Sequence, residues 1–159
     1  MRVLLLFATF SLLLGTGCTR TSSTQVDSSQ KINELEGNFN ATLTDDDQFG
    51  RSVANIGDLE SDGVTDLAVG VPFADDGGTD RGAVWVLFMD DNGQVDVQQK
   101  ISNTEGGFSG GLDNDDQFGI SVTAIGDLND DGVIDLVVVS PGMMMGNGSR
   151  CVMGTLFKQ

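Results

Sequence analysis

The chain has 159 residues, with 24 Asp and Glu against 8 Lys and Arg, a formal net charge of -16 and no histidine. So negative a balance excludes nucleic acid and anionic membrane surfaces as partners. Without histidine there is no Ser-His or Cys-His nucleophilic pair, no imidazole zinc site and no imidazole general base.

At the N-terminus Met1-Arg2 supplies one positive charge. Val3 to Leu14 is an apolar run too short to span a bilayer as a mature helix, and Gly15-Thr16-Gly17 places small residues before Cys18. This is the pattern of a secretory signal peptide. The small-small-Cys junction resembles the bacterial lipobox, in which the cysteine is lipidated and becomes the mature N-terminus; Gly15 stands where that motif usually has Leu, and Leu14 lies one place earlier. Residues 1–18 are therefore expected to be a signal peptide ending in a lipid-bearing Cys18, with cleavage by ordinary signal peptidase or an uncleaved anchor as the alternatives. It would carry the protein across the bacterial inner membrane and hold it at the cell envelope or surface, with membrane contact only through that anchor. The Ser/Thr-rich stretch 19–29 has nothing to bury and is expected to be a flexible tether.

From Gln30 onward the chain repeats itself with a period of 69 residues and no insertion. Gln30-Lys31-Ile32 returns as Gln99-Lys100-Ile101, Asp46-Asp47-Gln48-Phe49-Gly50 as Asp115-Asp116-Gln117-Phe118-Gly119, and Ile56-Gly57-Asp58-Leu59 as Ile125-Gly126-Asp127-Leu128. A fixed period of this kind means supersecondary units that bury their faces against one another. One unit covers 30–98 and the second 99–159, whose end is truncated or degenerate: Met153-Gly154-Thr155 stands where the first unit has Val84-Trp85-Val86. Cys151 is expected to be unpaired, since its counterpart is Gly82; the alternative, if Cys18 carries no lipid, is a Cys18–Cys151 disulfide that would tie the tether to a strand.

Each unit reads as four short strands: near 30–35 and 95–102, at 50–56 and 119–125, at 66–71 and 135–140, and at 82–89 and 150–157. Asp90-Asp91-Asn92-Gly93 predicts a tight hairpin. In Ala83-Val84-Trp85-Val86-Leu87-Phe88 both the odd and the even faces are apolar, so these strands need cover on two sides. Radially stacked four-stranded blades provide it. The fold class expected is all-β, two four-stranded antiparallel blades of a partial propeller, with a two-sheet sandwich as the plainer alternative.

Between the second and third strands of each unit lies an acidic loop. Asp127, Asn129, Asp131 and Asp135 occupy loop positions 1, 3, 5 and 9, Gly132 sits at position 6, and the Val133 carbonyl is available at position 7. Alternating oxygen ligands on a tight turn suit calcium, whereas magnesium keeps its waters and demands strict octahedral geometry. The first copy offers Asp58, Glu60, Asp62, the Val64 carbonyl and Asp66, with Gly63 at the turn; Glu60 is one methylene longer than the Asp or Asn of the pattern. An EF-hand would need flanking helices and a glutamate at position 12, where Val69 and Val138 stand. An Asp/Gly-rich turn without metal is the alternative. For most acids outside these loops, a solubilising turn role is the better reading.

Phe49-Gly50, the loop from Asp58 to Asp66 and Gly70-Val71-Pro72 resemble an FG-GAP repeat, the unit of the seven-bladed β-propeller of integrin α subunits and of many bacterial surface proteins. Phe118-Gly119, Asp127 to Asp135 and Ser140-Pro141 resemble a second. The resemblance implies two structural calcium ions, one per loop, and no catalysis, with partner binding through other loops. It points to a secreted or cell-surface, integrin-alpha-like module for adhesion or for recognition of a surface protein or glycan. Two repeats leave apolar blade faces open. Copies would therefore assemble to close the propeller, with Gln30 to Leu35 as a spare outer strand, or the chain would be a piece of something larger. The alternatives are a non-catalytic accessory piece of a larger extracellular enzyme and a truncated, non-functional fragment. Acids are so common in the turns that no carboxylate pair stands out for hydrolysis of a glycosidic bond.

Overall fold

A computed structural model of the chain describes residues 28–142. The expected signal peptide, Cys18, all of the tether but Ser28 and Ser29, and the strand expected at 150–157 with its Cys151 lie outside the described residues. Those described form six strands and no helix: β1 (Ser52–Asn55), β2 (Leu67–Val71), β3 (Ala83–Met89), β4 (Val95–Ser102), β5 (Ser121–Gly126) and β6 (Asp135–Val139). β1 to β4 make one antiparallel sheet in that order, and β5 pairs with β6 in another.

The sequence explains the pairing of the first sheet. β3 is apolar on both faces and sits inside the sheet, between β2 and β4, with Trp85 opposite Val69 and Lys100. Its Val84, Val86 and Phe88 enter one core with Ala54, Ile56 and Ala68. Leu87 and Met89 enter another, on the opposite face, with Phe39 and Val69. The predicted hairpin joins β3 to β4: the Gly93 amide donates to the Asp90 carbonyl at 3.0 Å. The Asp90 carboxylate accepts the amides of Gln94 and Asn92.

Two expectations are corrected. Residues 30–35 are not a strand; Asn33 and Glu36 form an isolated bridge around a turn, with Asn33 Oδ1 accepting the amides of Leu35 and Glu36. A strand needs a neighbour to take its ladder bonds. The counterpart segment 99–102 has β3 beside it, whereas 30–35 has no such neighbour among the described residues, and a side-chain turn takes over. The second correction is to the sheet that 95–102 joins. The stretch 95–102, read from the period as the opening of the second unit, instead closes the first sheet as its outer strand. The sheets therefore have four and two strands among the described residues rather than four each. The first sheet thus runs on through Ser102, four residues into the second copy of the repeat.

β4 is also tied to the loop before β3. Ser102, fully buried, hydrogen-bonds Asp76 through its hydroxyl. Lys100 Nζ lies 3.2 Å from the Asp76 carboxylate and 5.8 Å from the Trp85 ring centroid. Burial works to raise the Asp76 carboxyl, but hydrogen bonds from Ser102, Thr104 and Lys100, with the Lys100 charge, hold it below its ordinary value.

The second unit packs on the first through Phe118. Its ring is fully buried in the core shared by the two sheets, 4.9 Å from Phe108, and this pair repeats Phe39 and Phe49 at the same 4.9 Å. Glycines let the backbones close around it. A Cβ on Gly70 would lie 1.9 Å from the Gly119 carbonyl oxygen, and one on Gly82 would lie 2.2 Å from that of Phe118. Ser52 Oγ donates to the Gly119 carbonyl at 2.9 Å, and the Phe118 amide donates to Arg81 at 2.9 Å. Phe118→Ala is expected to lower the unfolding free energy by about 3–5 kcal/mol in urea titration. Its half-buried counterpart, in Phe49→Ala, should cost clearly less; equal losses would contradict this junction.

Candidate metal centre

Each acidic loop hangs from the inner hairpin of its sheet, between β1 and β2 or between β5 and β6, and both copies fold alike. In the first, Asp58 accepts the amides of Asp62 at 3.1 Å and Gly63 at 2.8 Å, while Asp62 Oδ1 accepts that of Val64 at 2.7 Å. In the second, Asp127 accepts those of Asp131 at 3.1 Å and Gly132 at 2.7 Å, and Asp131 Oδ1 accepts that of Val133 at 2.9 Å. Asn129 Oδ1 also takes the Asp131 amide, at 3.0 Å. The curl needs left-handed backbone at positions 4 and 6: φ is 62° at Ser61 and 94° at Gly63, 56° at Asp130 and 88° at Gly132. Glycine meets that demand at position 6 without strain.

Position 9 is different in kind. Asp66 is fully buried; one oxygen accepts the Leu59 amide at 2.8 Å and the other the Met89 amide at 3.0 Å. It thereby fastens the loop to the end of β3. Asp135 is buried likewise and accepts the Leu128 amide at 2.7 Å. Its Oδ1 has no hydrogen-bond partner among the described residues. The residue one period after Met89 is Lys158, outside them, so this orphan is not evidence for a metal.

Among the described residues no group of three or more acidic side chains converges to hold an ion. The geometry brings Asp58 and Asp62, and Asp127 and Asp131, together only through the loop's own amides. Glu60 has no partner in that scaffold. Desolvation, with the negative charges of Asp62, Asp66, Asp96 and Asp58, pushes its carboxyl above the ordinary value. Asp96, on β4, is an acidic neighbour that the loop pattern does not reveal, because it lies in the next period. As chemistry the donor set fits a hard cation: every candidate atom is oxygen, and a carboxylate oxygen that accepts one amide keeps a second lone pair.

The other acids behave mainly as turn residues. Asp47 accepts the Thr44 amide at 2.8 Å, and its counterpart Asp116 accepts that of Asp113 at 2.7 Å. An open cleft is lined by Asp45, Asp46, Asp47, Asp75 and Asp80. Desolvation and repulsion by Asp75, Asp115 and Asp47 push the Asp80 carboxyl up.

Residues 49–87 match the FG-GAP repeat family. The chain is 38% identical over 97 residues to integrin alpha-5 of Xenopus laevis, covering 60% of this chain and 9% of that protein. It is 34% identical over 109 residues to integrin alpha-11 of Homo sapiens, covering 65% and 9%. With integrin alpha pat-2 of Caenorhabditis elegans it shares 38% over 97 residues, covering 58% and 7%. The chain thus carries an FG-GAP, integrin-like repeat, and it spans less than a tenth of the length of these relatives.

Asp66→Ala is expected to destabilise the protein in chelator, by about 1–3 kcal/mol for each of the two amides left unpaired. Glu60→Gln should raise stability under the same conditions, since it removes a carboxylate held among like charges. Denaturant titration of both variants checks the opposite signs.

Proposed function

We propose that this chain, with its FG-GAP, integrin-like repeat, is a calcium-stabilised module for adhesion or for recognition of a surface protein or glycan. It acts outside the cytoplasm, secreted or held at the bacterial cell envelope by a lipid on Cys18. Calcium is structural: Asp58, Glu60, Asp62, the Val64 carbonyl and Asp66 would hold one ion, and Asp127, Asn129, Asp131, the Val133 carbonyl and Asp135 the other. The ion would neutralise carboxylates crowded on one short turn and stiffen the hairpin ends. It would supply no catalytic step.

The observation that carries this reading is the identity of the two loops. Both route the amides of positions 5 and 6 to the carboxylate of position 1, both turn through glycine at position 6, and both bury position 9. A turn selected only for solubility has no reason to keep the carboxylates at 1, 5 and 9 and the glycine at 6 in both copies. The small share of each relative that the chain spans favours a second reading, an accessory piece of a larger extracellular protein or enzyme. Further repeats or a catalytic domain in the adjoining genomic sequence would support it.

Thermal unfolding followed by circular dichroism, in millimolar calcium and then in excess chelator, tests the calcium reading. An ion at one hundred times its dissociation constant adds about 2.7 kcal/mol, so the transition should move up with calcium. The doubly substituted Asp58→Ala, Asp127→Ala chain should lose the shift. Identical transitions with and without calcium would overturn the proposal.

A further inference from the structure

The two units carry the same apolar surfaces, but each surface is covered more completely in one unit than in the other. The first sheet turns Ile56 and Ala68 toward the second unit, which meets them with Leu112, Phe118 and Val122. Shifted by one period, the meeting surface is Leu43 and Phe49, each half-buried on the first sheet's own core, with Val53, and the surface met is Ile125 with the half-buried Val137. Val122 is 6% exposed and Val53 56%; Ile56 is 2% exposed and Ile125 44%. Leu59 packs against the shared core, while its counterpart Leu128 is 68% exposed.

The backbone shows the same asymmetry. The amides of Asp115, Gln117 and Phe118 donate to the carbonyls of Thr79, Asp80 and Arg81 across the junction, at 3.0, 3.0 and 2.9 Å. Their counterparts, the amides of Asp46, Gln48 and Phe49, have no backbone partner among the described residues. A Cβ on Gly119 would lie 2.3 Å from the Ala83 carbonyl oxygen of the first unit, whereas one on Gly50 would meet nothing within 4 Å.

We infer that the two open surfaces are the halves of one junction and that they join between copies of this chain. The side bearing Ile125 and Leu128 on one copy docks, head to tail, on the side bearing Val53 and Phe49 on the next. The occupant is a second copy because each half is a repeat of a surface already seated, within the chain, on the repeat of the other. A contact of this kind is heterologous, so it propagates from copy to copy until the rotation closes a ring. The net charge of -16 opposes it, and salt therefore favours it. The inference is independent of calcium.

Analytical ultracentrifugation of the full chain, in calcium and in chelator, tests it. The wild type is expected to sediment above the mass of one copy, increasingly so with concentration and salt. Val53→Asp spoils one half and Ile125→Asp the other. Each variant alone is expected to be a single copy, while an equal mixture gives a complex of two that grows no further. Both side chains are exposed, so folding should survive, as circular dichroism will check; Leu128→Asp serves as a second variant of the Ile125 side. The inference is overturned if the wild type remains a single copy throughout. It is equally overturned if either variant still self-associates, or if the two variants ignore each other while the wild type associates.

Discussion

The contact on which the rest of the structure depends is the one made by Phe118, driven between the first sheet and β5–β6 where Gly70, Gly82 and Gly119 let the backbones close. β3 is apolar on both faces, so the first sheet cannot rest on one neighbour. The segment carrying Phe39 and Phe49 covers one side, and the second unit covers the other. Fully burying a side chain the size of phenylalanine is worth roughly 1.5–3 kcal/mol, more than any single surface ion pair in so acidic a chain. The glycines matter because a methyl group at any of the three would collide with backbone rather than with a movable side chain.

That junction also places the acidic loops. β1 and β5 lie alongside each other, and a Cβ on Gly57, at the neck of the first loop, would sit 2.9 Å from Ile134 Cδ1 of the second. Two strongly negative turns are thus held as neighbours by apolar packing beneath them. Asp66 adds a second restraint by linking its loop to Met89 at the far end of β3. The loop curl is therefore dictated by backbone amides and buried carboxylates. Any cation would therefore meet a scaffold that already has its shape.

Much of this was legible in the sequence. The period identified the units, the two apolar faces of residues 83–88 called for cover on both sides, and the spacing of Asp58, Asp62, Gly63 and Asp66 marked the turn that the backbone adopts. What escaped the reading is non-local. A period gives the length of a unit but not its phase, so the sequence could not say that 95–102 closes the sheet behind it. Hydrophobic pattern alone made 30–35 a strand, because the pattern does not register whether a pairing edge is present. The approach of Asp96 to Glu60 and the pairing of Asp76 with Ser102 and Lys100 depend on register across the sheet, which no local window contains.

The central claim is that the units form one interlocked stack and not two beads on a string. Native-state hydrogen exchange at the amides of Asp115, Gln117 and Phe118 tests it most directly, because these are the bonds that cross from one unit to the other. They are predicted to exchange only when the protein unfolds globally, with the same free energy as the amides of β3. Exchange at these three sites as fast as in the exposed loops, while β3 stays protected, would contradict the account.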